Sequence, residues 1–395
     1  MSNSELPKGW RECKLGDVLD KITKGTTPPK GKGFVEFNGI NYIKSDAINY
    51  DGRIDINKFA FIDKETNEKF KRSQLQEHDI LLSMAGAYLG KSGLVTKYML
   101  PANTNQALAI LRTNMTICDP FFISYYLRQN SIVEFINNMS GQSAQPNVNF
   151  QEISSIPINL PPLTEQKAIA EVLSSLDDKI DLLHQQNQTL EDMAQTLFRE
   201  WFIEKADEGW EEVPLSEVAD FLNGLACQKF PPKNDVDKLP VLKIKDLKAG
   251  ISDSSDWAST DVDSKYIIGN GDVIFSWSAS LVVKIWDGEK CILNQHLFKV
   301  TSENYPKWFY YQWCKYHLDR FISISQAHAT TMGHIKRKDL DNALCFVPSD
   351  NELENMNKKI QPIIEKLEIN QKQIKILEQT RDTLLPKLMS GQVRV

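Results

Sequence analysis

The chain has 395 residues, 41% of them apolar and 25% charged, an ordinary globular composition with length for two or three domains. Its 46 basic and 52 acidic groups leave a formal charge of −6, which excludes a chain-wide positive field of the histone kind but not binding by local patches. Six cysteines at 13, 118, 227, 291, 314 and 345 include no Cys-x-x-Cys pair, so reduced, buried thiols are expected rather than a disulfide framework or a zinc site. MSNSELPKGW lacks a basic-then-apolar leader, and no apolar run reaches the roughly 18 residues of a membrane span. A cytoplasmic, soluble protein is expected.

The chain repeats itself. GWRECKLGDVLD (9–20) returns as GWEEVPLSEVAD (209–220), with six of twelve positions identical, where composition alone gives about one match. HDILLSMAG (78–86) returns as GDVIFSWSA (271–279), Asn105-Gln106 as Asn294-Gln295, and SIPINLPPLTEQ (155–166) as NALCFVPSDNEL (342–353). The drifting offset is what surface loops of unequal length produce. Each copy runs globular part first and helix second.

In chain order, INYIKSDAI and DILLSMAG read as short strands, and LPVLKIKDL and DVIFSWSA repeat them in the second copy. Residues 120–138 and 306–323 have helical periodicity after a proline start. The aromatic density of both suits core packing, with base stacking as the second reading for 306–323, which is dense in Trp and Tyr. After PPL, Thr164 is the expected N-cap, with Glu165 complementing the helix start. Apolar residues then follow at 169, 173, 176, 180, 183, 190, 194, 197 and 201, with Asn187 completing the seam. The steps of four and three are those of a coiled coil. The second seam runs from Met356 to Leu388 with Asn370 in it. Pro362 interrupts it on the outer face, and Pro386 is expected to end or kink it.

The predicted fold class is α+β: two homologous globular domains and two long helices forming an antiparallel coiled coil with pseudo-two-fold symmetry. The segments are 1–160, 161–208, 209–349 and 350–395. Antiparallel pairing brings Asn187 at an a position to Asn370 at a d position, and their bonding is expected to set the register, with Leu183 meeting Ile374. Residues 161–208 carry 4 basic and 11 acidic groups. The first helix therefore repels phosphate and suits a protein partner.

No GxxxxGK[ST] loop, no HExxH, and no ligand-spaced set among the six histidines occurs, so no catalytic residue, cofactor or metal site is assigned. Glu165-Gln166-Lys167 has a nuclease-like Glu-x-Lys spacing but opens a helix, where capping explains it. A non-catalytic chain is expected.

The whole chain resembles the specificity subunit of type I restriction–modification enzymes. PLTEQKAIAEVLSSLDDKID (162–181) after SIPINLP, LFREWF (197–202), TLLPKLMSGQVRV (383–395) and the paired GWxxxxLx(D/E)V openings carry the resemblance. SDNELE in the second copy departs from the PLxEQ-type junction. The resemblance implies two target-recognition domains, each reading half of a bipartite DNA site. It also implies two methyltransferase subunits that supply S-adenosylmethionine chemistry on adenine, and motor–nuclease subunits that join for cleavage. A helix of some 40 residues spans about 60 Å, a ruler for half-sites about one duplex turn apart.

Candidate DNA-binding residues are the polar and basic ones that position phosphate and read bases. In the first copy they are Lys24, Thr26, Thr27, Lys30, Lys44, Ser83, Lys91, Asn105, Gln106, Gln142, Ser143, Gln145 and Asn147. In the second they are Lys229, Lys245, Ser276, Asn294, Gln295, His296, His328, Thr330, Thr331, His334, Lys336 and Arg337. Because Asn-Gln stands in both copies, structure explains it as well as DNA does. The loops 140–149 and 325–338 diverge between matched flanks, where two readers should differ. Two rivals remain: a duplicated coiled-coil scaffold that binds only proteins, and an enzyme fusing recognition to catalysis.

Overall fold

The computed structural model describes residues 6–29, 32–139, 146–252, 254–327 and 333–395. The chain divides into two compact units, residues 1–180 with 377–395, and residues 181–376. The helices Leu163–Arg199 and Asp350–Met389 each run through a unit boundary.

Both units have one topology. In the first, Arg11–Lys14 pairs antiparallel with Pro157–Leu160. A four-stranded antiparallel sheet has the order Leu19–Lys24, Leu108–Thr113, Ile80–Ser83, Ser92–Leu94. A second sheet holds a parallel pair, Ile40–Ile43 with Ala102–Thr104. In the second unit, Glu211–Pro214 pairs with Leu344–Val347. The first sheet there runs Asp220–Asn223, Leu297–Thr301, Val273–Ser276, Val282–Ile285. Lys238–Leu242 lies parallel to Cys291–Leu293 in the second.

The DILLS and DVIFS runs lack alternation because both their faces are covered. Ile80 and Leu82 enter one apolar cluster and Leu81 another; Val273 and Phe275 divide from Ile274 in the same way. The aspartate before each strand is structural. Asp79 takes two hydrogen bonds from Arg112, at 2.7 and 2.8 Å, and Asp272 takes one from Lys299 at 2.9 Å.

Each expected aromatic helix is two helices, Pro120–Arg128 with Asn130–Met139, and Lys307–Tyr316 with Leu318–Ala327. Gln129 leaves the helical region at ψ 134 and breaks the first. Trp308, Phe309 and Trp313 are buried, so these rings form core and cannot stack on bases.

The long helices correct three expectations. Thr164 is not the N-cap: the amides of Glu165 and Gln166 bond the Pro162 carbonyl, and the helix opens at Leu163. Pro386 does not end the second helix, which continues to Met389 and stops before Gly391 at φ 72. Asn187 and Asn370 are not bonded to each other. Asn370 is fully buried with neither amide atom partnered, and the half-buried Asn187 has an unpartnered Oδ1. An unpaired buried amide costs about 1–3 kcal/mol, so hydrogen bonding does not hold the register there.

The helix starts repeat in detail. Trp10 Nε1 donates to Glu165 Oε2 at 3.2 Å in the first unit, and Trp210 Nε1 donates to Glu352 Oε2 at 3.2 Å in the second. In the first unit the tail returns to the start. Arg394 donates twice to Glu165 at 2.9 and 2.8 Å, and Gly391 packs on Pro7 and Trp10. Deeper along, Arg381 and Arg128 both bond Asp177, at 2.9 and 3.0 Å, and Tyr125 donates to it at 2.8 Å. With Glu165 beside Arg394 and Asp177 beside Arg381, the two helix segments of this unit run antiparallel.

Candidate nucleic-acid interface

Four chain segments, separated in sequence, meet at one edge of each unit with the same backbone bonds. In the first unit, Gly25 N donates to Leu108 O at 3.1 Å, Met84 N to Ala107 O at 2.9 Å, and Val148 N to Met84 O at 2.9 Å. Ala85 bridges Asn147. In the second, Gly224 N donates to Leu297 O at 3.0 Å, Trp277 N to His296 O at 3.3 Å, and Ile335 N to Trp277 O at 3.0 Å. Ser278 bridges His334. Glycine is required at the crossing, because a Cβ would stand 2.0 Å from the Asn105 carbonyl oxygen at Gly25 and 2.2 Å from that of Asn294 at Gly224.

The identity of Asn105 and Asn294 is therefore tied to a turn both units need. Asn294 is 6% exposed, and Asn105 is half-buried with a buried Oδ1. Gln106 and Gln295, one residue on, reach the surface. Around them in the first unit stand exposed Lys24, Thr27 and Asn147 and half-buried Thr26. Thr27 Oγ1 accepts from Gln106 N at 3.3 Å, and Thr26 O accepts from Tyr42 at 2.8 Å. Lys44 lies over Phe34. Lys91 is held between Tyr50 and Tyr88, 4.6 and 4.5 Å from their ring centres. Burial, then the Lys58 charge, lowers its pKa.

Two expected contacts are overturned. Ser83 and Ser276 are fully buried, since they end strands covered on both faces. Ser276 bonds Ser280 O and Val282 N within its own hairpin. Neither can touch DNA. In the second unit Lys229, Lys245, Lys336 and Arg337 are exposed and His296 and His334 half-buried. Lys245 Nζ is engaged with Ser254 O at 2.9 Å. Lys30, Gln142, Ser143, Gln145, His328, Thr330 and Thr331 lie outside the described residues.

Sequence reasoning missed Asn223, Trp277 and Ser278. Trp277 stacks on Phe298 at 5.8 Å, lies 5.8 Å from His296 and 6.3 Å from His334, and donates to Asn223 Oδ1 at 3.1 Å. Ser278 Oγ lies 3.1 Å from His296 Nδ1. The signal was present: in DVIFSWSA the tryptophan directly follows the last, fully buried strand residue, so it opens the loop at the strand's end.

Among the described residues no three His, Cys, Asp or Glu side chains gather as metal ligands, and no helix is long and apolar enough to cross a membrane. On the helix segments of the second unit, the apolar Leu182, Met193, Ile369 and Ile376 are 45%, 48%, 55% and 62% exposed.

A duplicated α+β module with matched polar edges, each attached to a segment of paired helices, defines a two-headed recognition protein. The model of the type I restriction modification DNA specificity domain matches residues 7–192 and 207–379, and the chain belongs to that family. It is 25% identical to the specificity subunit of the MjaIX type I restriction enzyme of Methanocaldococcus jannaschii, over 99% of this chain and 95% of that one. It is 21% identical to that of the HindI enzyme of Haemophilus influenzae, over 97% and 99%. A type I restriction–modification S subunit from M. genitalium has the same fold, with a TM-score of 0.56 and 17% identity over 98% of this chain and 97% of that one. The family match favours a DNA specificity subunit over a protein-only scaffold.

Proposed function

We propose that this chain is the non-catalytic DNA-reading subunit of a type I restriction–modification complex, with residues 1–160 and 209–349 as target-recognition domains. Each domain reads one half of an asymmetric, bipartite double-stranded site. Segments 161–208 and 350–395 are the spacer helices that set the distance between halves. The observation that carries the reading is the matched four-segment edge: one backbone frame, presented twice, with different side chains. That is what two readers of two different sequences require.

Two methyltransferase subunits dock on the chain and supply S-adenosylmethionine chemistry on adenine, and motor–nuclease subunits complete the cleaving complex. The exposed Leu182, Met193, Ile369 and Ile376 and the acidic excess of 161–208 support protein docking rather than phosphate contact there. The test is co-production of the chain with its genomic neighbours, followed by mapping of methylated adenines. Methylation at a bipartite sequence only when this chain is present is expected. Methylation independent of it would overturn the proposal.

A further inference from the structure

The matched edges differ in one chemical respect. Following the shared backbone bonds, Lys24, Met84, Ala85, Ala107 and Asn147 of the first unit occupy the places of Asn223, Trp277, Ser278, His296 and His334 in the second. The first set has no ring. The second is a ring cluster with its own internal bonds, and its parts come from four separate segments. Resting on the reading above, we infer that Trp277, His296 and His334, positioned by Asn223 and Ser278, read base pairs in the half-site of the second unit.

The geometry suits base reading better than phosphate contact. Trp277 is fixed twice, by the ring of Phe298 beneath it and by the bond of its indole N–H to Asn223. His296 is held at Nδ1 by Ser278 at 3.1 Å, and its Nε2 lies 3.4 Å from Gln295 Nε2. The His334 ring meets the Trp277 ring nearly edge-on, at 81°. A set fixed from several sides presents its ring faces and imidazole edges at defined positions, which sequence discrimination needs. Phosphate positioning needs only charge near the backbone, and the exposed Lys229, Lys336 and Arg337 supply it. Gln106 and Gln295 stand at the same turn in both units, so they do not account for a difference between the half-sites.

The inference is tested on the full chain in complex with its methyltransferase subunits, by selection from a pool of randomised double-stranded DNA. The wild-type complex is expected to yield a bipartite consensus. With His296→Ala and His334→Ala together, one or two base pairs in one half should lose their preference while the other half stays unchanged. Affinity for the wild-type consensus should fall about ten- to a hundredfold. Thermal melting of the variant checks its fold, and the single His334→Ala carries the same test if the double variant is unstable. Trp277→Phe, which keeps a ring and loses the Asn223 bond, should fall between the two. An unchanged consensus in both halves would overturn the inference, as would equal weakening on every sequence, the mark of phosphate contacts alone. Failure of the wild-type complex to select any bipartite consensus would instead sink the DNA-reading proposal, and this inference with it.

Discussion

The two places where helix segments dock on a globular part differ more than the shared topology requires. Counting equally far from Glu165 and Glu352, Asp177 of the first unit answers to Ile364 of the second, and Arg381 answers to Ala194. In the first unit Asp177 gathers Arg128, Arg381 and Tyr125. In the second, Ile364 and Ala194 are buried in an apolar cluster with Phe198, Phe202, Trp308 and Trp313. Phe198 meets Trp313 edge-on at 4.9 Å, and Phe202 meets it at 5.6 Å. At this layer the first copy has an ion network and the second an apolar cluster; elsewhere the second copy's helices are tied to its globular part by Lys307–Glu368 and Lys315–Glu191, at 2.8 and 3.0 Å. A buried ion network serves geometry more than stability, since an apolar replacement of matched shape is often as stable.

Several substitutions would break or sharpen this contrast. The largest effect is expected in the aromatic copy, where Trp313→Ala should remove about 3–5 kcal/mol of stability, read by urea unfolding. In the ionic copy, Arg381→Ala should remove somewhat less, about 2–4 kcal/mol, because Asp177 keeps Arg128. Adding Asp177→Ile to it should recover part of that loss, converting the site toward the second unit's residues. A further loss instead would show that the network is itself the stabilising element.

The pH dependence follows from the same carboxylates. Burial pushes the Asp177 carboxyl up, but the Arg128 charge and the Arg381 hydrogen bond outweigh it and hold it below its usual value. The Arg394 hydrogen bond, against partial burial, lowers Glu165 too. A lowered folded-state pKa gives stability that is present above the unfolded value, about 4, and is lost as pH falls through the folded one. Melting temperature should therefore drop between pH 5 and pH 3 by more in the wild type than in Asp177→Ile/Arg381→Ala. Equal drops would remove Asp177 from the account. A smaller and opposite effect is expected at Asn370, where Asn370→Leu should stabilise by about 1–3 kcal/mol by removing an unpaired buried amide. Destabilisation would show that the amide has a role in the native pair.

Much of this was legible in the sequence, for physical reasons. The GWxxxxLx(D/E)V openings stood out because Trp10 and Trp210 each bond a glutamate at a helix start, and the paired GD or HD strands because Asp79 and Asp272 each hold a cation. Gly391 lies against Pro7 and Trp10, so a circular permutant opened at an exposed loop should fold. The interface was only half legible. Polarity led to Ser83 and Ser276, but two-sided burial is decided by which strands neighbour them, and that is a tertiary fact. The sequence places Trp277 at the opening of the loop after a buried strand, but the meeting of four segments is what sets its ring beside His296 and His334. The Asn187–Asn370 expectation failed because seam positions bring residues to one layer without fixing which way short amides point.

The central claim is that two units read two halves of one site independently. The most direct measurement exchanges residues 1–160 for the corresponding segment of a relative with a different recognition sequence, then maps methylation by the reconstituted complex. The account predicts a new sequence in one half, with the other half and the spacing unchanged. A change in both halves, or in neither, would contradict it.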